Sequence, residues 1–240
     1  MLSRQELVYM AKICEQAERY DDMLNYIRQV AFMEQELSTE ERNLFTFAYY
    51  YCVGSRKTQM RQLCHLENKV TQKVNTNPQF SAIIVLKKRI LNELNDFCNE
   101  FLILIENQLL KLHQQTELYF QYQFFKCRYL KHKVDYLQDE QERDIAINIA
   151  LLQFEQIYEQ VIAQLLPTNV RRLQMVLDFS VFLHEILEDN KKACEICDEA
   201  LIQARKEIDK ELNQQEKVQI EQVLNLIEQT RNLVMEDMKE

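Results

Sequence analysis

The amino-acid sequence predicts an all-α protein. Only one of its 240 residues is glycine and two are proline, although glycine supplies the positive-φ positions of most β-hairpins. The chain is instead rich in Leu, Glu, Gln and Lys, which lose little side-chain freedom in a helix. Its apolar residues recur at the three- and four-residue spacing of a helix face. We therefore expect about nine helices, antiparallel because the linkers between them are short.

The first three helices are marked by a stripe of apolar residues and by a capping box. The first is predicted to end near Tyr20–Asp21, and a second, short helix covers residues 22–33. The third helix is predicted to begin with a capping box. The Ser38 side chain is expected to accept from the backbone N–H of Glu41, whose side chain reaches back to the N–H of Ser38. This third helix should be long and end near Val74.

The remaining helices are separated by short polar punctuation. Asn77 is predicted as an N-cap with Pro78 at the first helical position, and the apolar pattern of this fourth helix continues to Ile105. Five further helices are predicted at residues 115–138, 142–165, 169–187, 191–208 and 214–236. No low-complexity linker interrupts them, so the sequence predicts one domain over residues 1–240.

Charge and cysteine content narrow the function classes. A net charge of −9 argues against nucleic acid or an anionic membrane as a partner. The sequence has seven cysteines and no recognisable leader peptide, which indicates a reducing compartment. It also has no long apolar segment, so we expect a soluble cytoplasmic protein. Cys194 and Cys197 form a C-x-x-C, but no second pair stands at zinc spacing. We expect no metal, no cofactor and no catalysis, since no nucleophile–base pair or phosphate loop is present.

Two blocks of the N-terminal third carry a resemblance to a known family. They are EQAERYDDM at residues 15–23 and ELS with EERNL at residues 36–44, followed by Arg56. Shorter matches follow in order, at RYL (128–130), FSVF (179–182) and EIL (185–187). The chain thus resembles the 14-3-3 family of phosphopeptide-binding adaptors. The resemblance implies nine antiparallel helices forming a concave groove that binds proteins phosphorylated on serine or threonine, without catalysis.

The resemblance also implies a phosphate clamp on the third and fifth helices, built from positions seven residues apart. Here those positions are Tyr50, Lys57, Gln121, Arg128 and Tyr129. Lys57, Arg128 and Tyr129 can still bind a phosphate, although lysine lacks the two-pronged guanidinium. Tyr50 and Gln121 stand where the family has cations, so we expect a less electropositive groove. Arg61, one turn after Lys57, is a candidate replacement.

The same resemblance assigns residues that hold the peptide on each side of the phosphate. On the seventh helix they are Leu177, Asp178, Val181 and Glu185, and on the ninth they are Leu226, Thr230, Leu233 and Val234. Asp178 replaces an asparagine, and an ionised aspartate can only accept hydrogen bonds. Val234 replaces a tryptophan. The apolar members can also be read as ordinary core, and a buried Arg128 as the structural partner of Asp178 or Glu185.

Dimerisation is the third implication, as a homodimer or as a heterodimer with related family members. The apolar interface positions are Ile13, Ala17, Leu63 and Leu66. Two ion pairs across the interface would join Arg19 to Glu93 and Asp22 to Arg89.

Two other functions remain open at this stage. The first keeps the fold but makes the protein a divergent scaffold, with lost or altered phosphate recognition, that binds unphosphorylated motifs. The second is a helical-hairpin enzyme or lipid carrier, for which the sequence offers no catalytic motif.

Overall fold

A computed structural model describes residues 2–33, 35–71, 78–112, 117–208 and 213–239. In these residues the chain forms nine helices, counting the fourth with its continuation, and no strand, which confirms the all-α prediction. The helices are α1 (Arg4–Gln16), α2 (Tyr20–Ala31), α3 (Thr39–Thr71), α4 (Pro78–Leu104), α5 (Glu117–Tyr136), α6 (Glu140–Gln164), α7 (Val170–Glu185), α8 (Asn190–Glu207) and α9 (Gln214–Asp237). A π-helical turn, Ile105–Leu109, carries α4 on to Leu110–Leu112.

The boundary between α1 and α2 differs from its prediction. Helix α1 ends at Gln16, not near Tyr20–Asp21. Glu18 adopts a left-handed conformation with φ 55°, and the backbone N–H of Arg19 donates to the carbonyl of Cys14 at 2.8 Å. This is a Schellman ending, usually made by glycine. The polar sequence at this point continues the helical pattern, so periodicity alone does not detect the reversal.

The predicted capping box at the start of α3 is confirmed. The backbone N–H of Glu41 donates to Ser38 Oγ at 3.2 Å, and the N–H of Ser38 donates to Glu41 Oε2 at 2.7 Å. Arg4 on α1 donates to both oxygens of Glu41, at 2.8 Å each. This guanidinium holds the pKa of Glu41 down to about 2. The capping residue therefore also ties α1 to α3.

Several predicted boundaries lie outside the described residues, namely Asn77 as an N-cap, the end of the third helix near Val74, and the start of the fifth at residue 115. The later helices begin and end within about two residues of their predicted positions. Asn169, Asp189 and Asn213 cap α7, α8 and α9 through their side chains.

The described contacts divide the chain into two compact units. The N-terminal unit contains Met1–Gln114 and His132–Glu140, and the C-terminal unit contains Gln115–Lys131 and Gln141–Glu240. The core of the first includes Phe45, Tyr49 and Phe101, whose ring centroids lie 4.9–5.3 Å apart. Phe154 stacks on two phenylalanines of α7 in the second. The single domain stays a prediction. No described helix is both long and apolar enough to cross a membrane.

Candidate functional site

The N-terminal unit holds Lys57, the clamp cation predicted on α3. Lys57 Nζ lies 3.1 Å from Nδ1 of His132, on α5, and 5.8 Å from the ring centroid of Tyr136. Asp135 Oδ2 is 3.8 Å from the same imidazole nitrogen. Burial raises the pKa of the Tyr136 hydroxyl above its ordinary range. His132 was missed by the sequence reasoning, although it follows Arg128 at the four-residue spacing that marks a shared helix face.

Tyr50, which replaces a clamp cation, is an exposed aromatic residue. The whole residue is 69% exposed. Its ring packs edge-on against the ring of Tyr51, with 5.4 Å between the two ring centroids. Tyr51 stacks in turn on Tyr20 at 4.1 Å. Arg61 is exposed and donates to Thr58 Oγ1 at 3.2 Å. This part of α3 therefore presents aromatic surface where the family motif has positive charge.

In the C-terminal unit, Arg128 pairs with Asp178. Arg128 Nε donates to Asp178 Oδ2 at 2.6 Å, linking α5 to α7. The Arg128 side chain is 44% exposed and the Asp178 side chain 19% exposed. The reading of Arg128 as buried was therefore wrong. The structural ion pair exists with Asp178, whereas Glu185 pairs with Lys131 at 2.7 Å.

Tyr129 and Gln121 lie on the same helix as Arg128. Tyr129 is buried, with 7% of its surface exposed, and Gln121 is half-buried. Between them, Gln123 Oε1 accepts from Gln153 Nε2 of α6 at 3.1 Å. Burial also raises the pKa of the neighbouring Cys127 thiol, so this cysteine stays protonated. Arg128 is thus the most exposed charge on this helix segment, where Lys126 is half-buried, and it lies beside buried aromatic residues.

The apolar positions assigned to the peptide divide into surface and core. Leu226 and Leu233 are 49% and 60% exposed. Thr230, one turn from each, is half-buried, as are Leu177 and Val181 of α7. These side chains offer apolar contact area along α7 and α9.

Val234 does not belong to that surface. It is fully buried, because it lies seven residues after the core residue Ile227 and so shares its helix face. Val234 therefore packs in the core and adds no exposed surface at the position where the family has a tryptophan.

The predicted dimer residues lie in the N-terminal unit, and most are exposed. Ile13 is 43% and Leu66 47% exposed, and Ala17 is also exposed. Leu63 is only 8% exposed, so its side chain packs mainly inside its own chain. It therefore offers less surface to a partner than its position on α3 suggested.

The four charged dimer residues already have partners within one chain. Arg19, the N-cap residue of α2, pairs with Asp22 in the first turn of that helix. On α4, Arg89 Nε lies 3.1 Å from Glu93 Oε1. Arg56 of α3 adds a second cation 3.0 Å from Glu93 Oε2. Interchain pairing of these residues would exchange local partners for partners on the second subunit.

Cys194 and Cys197 show no reactive arrangement. Cys197 is buried, and burial raises its pKa to about 11. Cys194 is half-buried, and burial likewise raises its pKa. Neither thiol is thus activated as a thiolate. The described residues contain no group of three or more His, Cys, Asp or Glu arranged to hold a metal ion.

Known proteins resemble this chain over most of its length. A family model described as "14-3-3 protein" matches residues 10–234. The chain is similar to "14-3-3 protein 2" of Entamoeba histolytica, with 36% identity over 87% of each chain. It is 36% identical to a "14-3-3-like protein" of Fucus vesiculosus, covering 87% of this chain and 81% of the relative.

A third relative carries a signalling description. The chain is 33% identical to the "Checkpoint signal transducer rad25" of Schizosaccharomyces pombe, over 86% of this chain and 76% of that protein. The match to the family model covers nearly the whole chain, from within α1 to within α9. The chain therefore belongs to the 14-3-3 protein family.

Proposed function

We propose that this protein is a dimeric, cytoplasmic adaptor that binds segments of other proteins phosphorylated on serine or threonine. Family membership supports an adaptor or scaffold role. Phosphate recognition is the finer part of the proposal. In it, Arg128 carries most of the phosphate contact, Lys57 supplies a second cation, and the hydroxyl of Tyr129 donates.

The observation that carries the proposal is the exposure of Arg128. Its guanidinium has five N–H donors, and its Nε donates to Asp178. With 44% of the side chain in contact with solvent, the guanidinium is accessible to a dianion. Arginine binds phosphate with two parallel hydrogen bonds, which are stronger than bonds between neutral groups. A phosphate can therefore compete with Asp178 for this side chain.

The peptide on each side of the phosphate would contact α7 and α9. Exposed Leu226 and Leu233 offer apolar area to flanking residues, and Leu177 and Val181 add half-buried surface. Thr230 can donate and accept hydrogen bonds, whereas Asp178 and Glu185 can only accept. We expect a modest sequence preference for apolar residues beside the phosphorylated one.

A second candidate function is a divergent scaffold that binds unphosphorylated motifs. Two observations favour it: Asp178 already neutralises Arg128, and Tyr50 presents an aromatic ring in place of a cation. Aromatic side chains are common anchors in protein interfaces. On this alternative, binding would not depend on the phosphate.

The deciding experiment titrates the protein with one peptide in its phosphorylated and plain forms. Phosphate reading predicts at least tenfold tighter binding of the phosphorylated form, since a charge-assisted hydrogen bond contributes about 1.5–3 kcal/mol. Equal affinities would eliminate phosphate reading and leave the scaffold. In parallel, cellular partners recovered with and without phosphatase treatment show whether phosphate matters for natural ligands.

A further inference from the structure

Lys57 and His132 form a close pair whose chemistry differs from that of a lysine–carboxylate ion pair. The ammonium group of Lys57 has three donors and no acceptor. Lys57 Nζ lies 3.1 Å from Nδ1 and 3.5 Å from Nε2 of His132, so we assign the nearer nitrogen, Nδ1, as the acceptor. This assignment makes the imidazole neutral, with its proton on Nε2. A protonated ring would put two positive charges in contact.

The groups around this pair come from three helices. On α5 itself, Asp135 Oδ2 lies 3.8 Å from Nδ1, and the Tyr136 ring centroid lies 6.4 Å from that of the imidazole. Helix α3 contributes Lys57, and α4 contributes Cys98, a thiol within electrostatic reach of Lys57, Asp135 and Lys133 whose pKa burial raises to about 12. Cys98 is neutral at ordinary pH. Asp135 therefore supplies the negative charge among these groups, and at a distance longer than a hydrogen bond.

We infer that His132 is a second phosphate ligand beside Lys57, neutral in the free protein and protonated when a phosphorylated residue binds. The inference rests on the proposed function and names a residue that the family's clamp pattern does not include. A phosphate dianion offers three acceptor oxygens, so it can accept from the ammonium and from an imidazolium together. The dianion offsets the repulsion that arises when the ring is protonated, because both cations donate charge-assisted hydrogen bonds to it.

Binding should then be coupled to proton uptake. A nearby anion favours the charged form of histidine, and histidine titrates in the range where small changes in surroundings decide its charge. Tyr50 and Gln121 stand where the family has cations. Protonated His132 would supply part of that positive charge, and only when the ligand is bound. Phosphopeptide affinity should rise as the pH falls from 8.0 towards 6.5.

The test compares the full chain with its His132→Gln variant. Calorimetry at pH 7.5 in buffers of different ionisation enthalpy counts the protons taken up on binding one phosphopeptide. The second pKa of the phosphate is near 6, so at pH 7.5 the free phosphopeptide is almost entirely dianionic and its own titration contributes little to either proton count. We expect the wild type to take up more protons than the variant. We also expect its affinity advantage to grow from about twofold at pH 8.0 to about tenfold at pH 6.5.

The His65→Gln variant is the matched control, because His65 is an exposed histidine on the same helix as Lys57. It should bind with the wild-type affinity, proton count and pH profile. A His132→Gln variant that binds with the wild-type proton count and a constant affinity ratio would overturn the inference while leaving phosphate reading intact. Equal wild-type affinity for the phosphorylated and plain peptides would overturn both.

A second measurement needs no variant at the site. The imidazole resonances of the wild-type histidines are followed by NMR across pH 5.5–9 with and without saturating phosphopeptide. The midpoint of the His132 titration should move upward by about one pH unit or more, since an added dianion at contact favours the imidazolium. The plain peptide should leave it unchanged. An unmoved midpoint with the phosphopeptide bound would overturn the inference.

Discussion

Arg128 on α5 donates from Nε to Asp178 Oδ2 on α7 at 2.6 Å. The carboxylate stands at a position where the family motif has an asparagine, and it neutralises the one clamp arginine that this chain retains. Both side chains contact solvent, Arg128 over 44% of its surface. An exposed pair of this kind contributes about 0–1 kcal/mol to stability. Its main consequence is therefore competition with a ligand for Arg128.

Replacing Asp178 with asparagine should tighten phosphopeptide binding by about 3- to 10-fold. The change removes a negative charge and frees Nε of Arg128 for the phosphate. Affinity is measured by fluorescence anisotropy with a labelled phosphopeptide. The control is Asp198→Asn, since Asp198 accepts from Arg231 at 2.9 Å in the same unit. Unchanged or weaker binding by Asp178→Asn would show that the pair does not restrain the clamp.

Replacing Arg128 with alanine should weaken phosphopeptide binding at least tenfold, because the lost bonds are charge-assisted. Helicity and the dimer should remain intact. Circular dichroism and light scattering check both. Arg205→Ala is the matched control, since Arg205 is a similarly exposed arginine paired with Glu228 at 2.8 Å. Retained affinity in the Arg128 variant would remove this residue from the proposed site.

Restoring lysines at positions 50 and 121 should tighten phosphopeptide binding and make it more sensitive to salt. Two additional cations increase the charge that dissolved ions screen. Tyr50 is well exposed, so its replacement should cost little stability. The affinity is measured between 50 and 300 mM salt with the phosphorylated and plain peptides. An equal gain in affinity for the plain peptide would mean that the added lysines attract the peptide without recognising its phosphate.

The protein should be a dimer at micromolar concentration, and Ile13→Asp or Leu66→Asp should make it monomeric. Each change puts a charge into an interface expected to be apolar, without disturbing the core, since both residues are more than 40% exposed. Light scattering gives the mass. Leu152→Asp is the control, because Leu152 is 68% exposed on α6. A wild-type protein of monomeric mass would refute the prediction.

Glu41→Gln should lower the free energy of unfolding by about 1–3 kcal/mol at pH 7, as a broken, largely buried ion pair does. The pKa of Glu41 is lowered from 4.5 to about 2. A lowered pKa contributes stability above the unfolded value, and that stability is lost as pH falls through the folded value. The loss of unfolding free energy in the variant should therefore persist above pH 4.5 and become smaller towards pH 2.

Urea unfolding of both proteins at several pH values measures this difference. Glu40→Gln provides the control, because Glu40 lies on the same helical turn with a side chain that is 60% exposed. It should have little effect at any pH. If the loss of unfolding free energy caused by Glu41→Gln stayed constant down to pH 2, the ion pair between Glu41 and Arg4 would not be its cause.

The all-α class and the capping box of α3 could be predicted because both depend on residues close together in the chain. Ser38 and Glu41 are three residues apart, and helix formation brings them together whatever else folds around them. The same locality explains the error at the α1–α2 junction. Glu18 adopts a positive φ that a non-glycine residue rarely adopts and that no local pattern announces.

Side-chain pairing between helices was decided by the tertiary structure. The sequence left both Asp178 and Glu185 as partners for Arg128, and in the structure Asp178 pairs with Arg128 whereas Glu185 pairs with Lys131. Likewise Leu63 and Leu66 look alike in the sequence, but only Leu63 is buried. His132 carries no motif of its own, and only its 3.1 Å distance to Lys57 on another helix makes it a candidate ligand.

By itself, the sequence determined the helical fold and family of this protein, because helix periodicity and the 14-3-3 motif letters are local properties of the chain. The charge state of the candidate clamp was decided only by the tertiary structure. Asp178 beside Arg128 and His132 beside Lys57 are 50 and 75 residues apart in the chain. Electrostatic interaction falls with distance in space, and only packing brings such residues within hydrogen-bond reach.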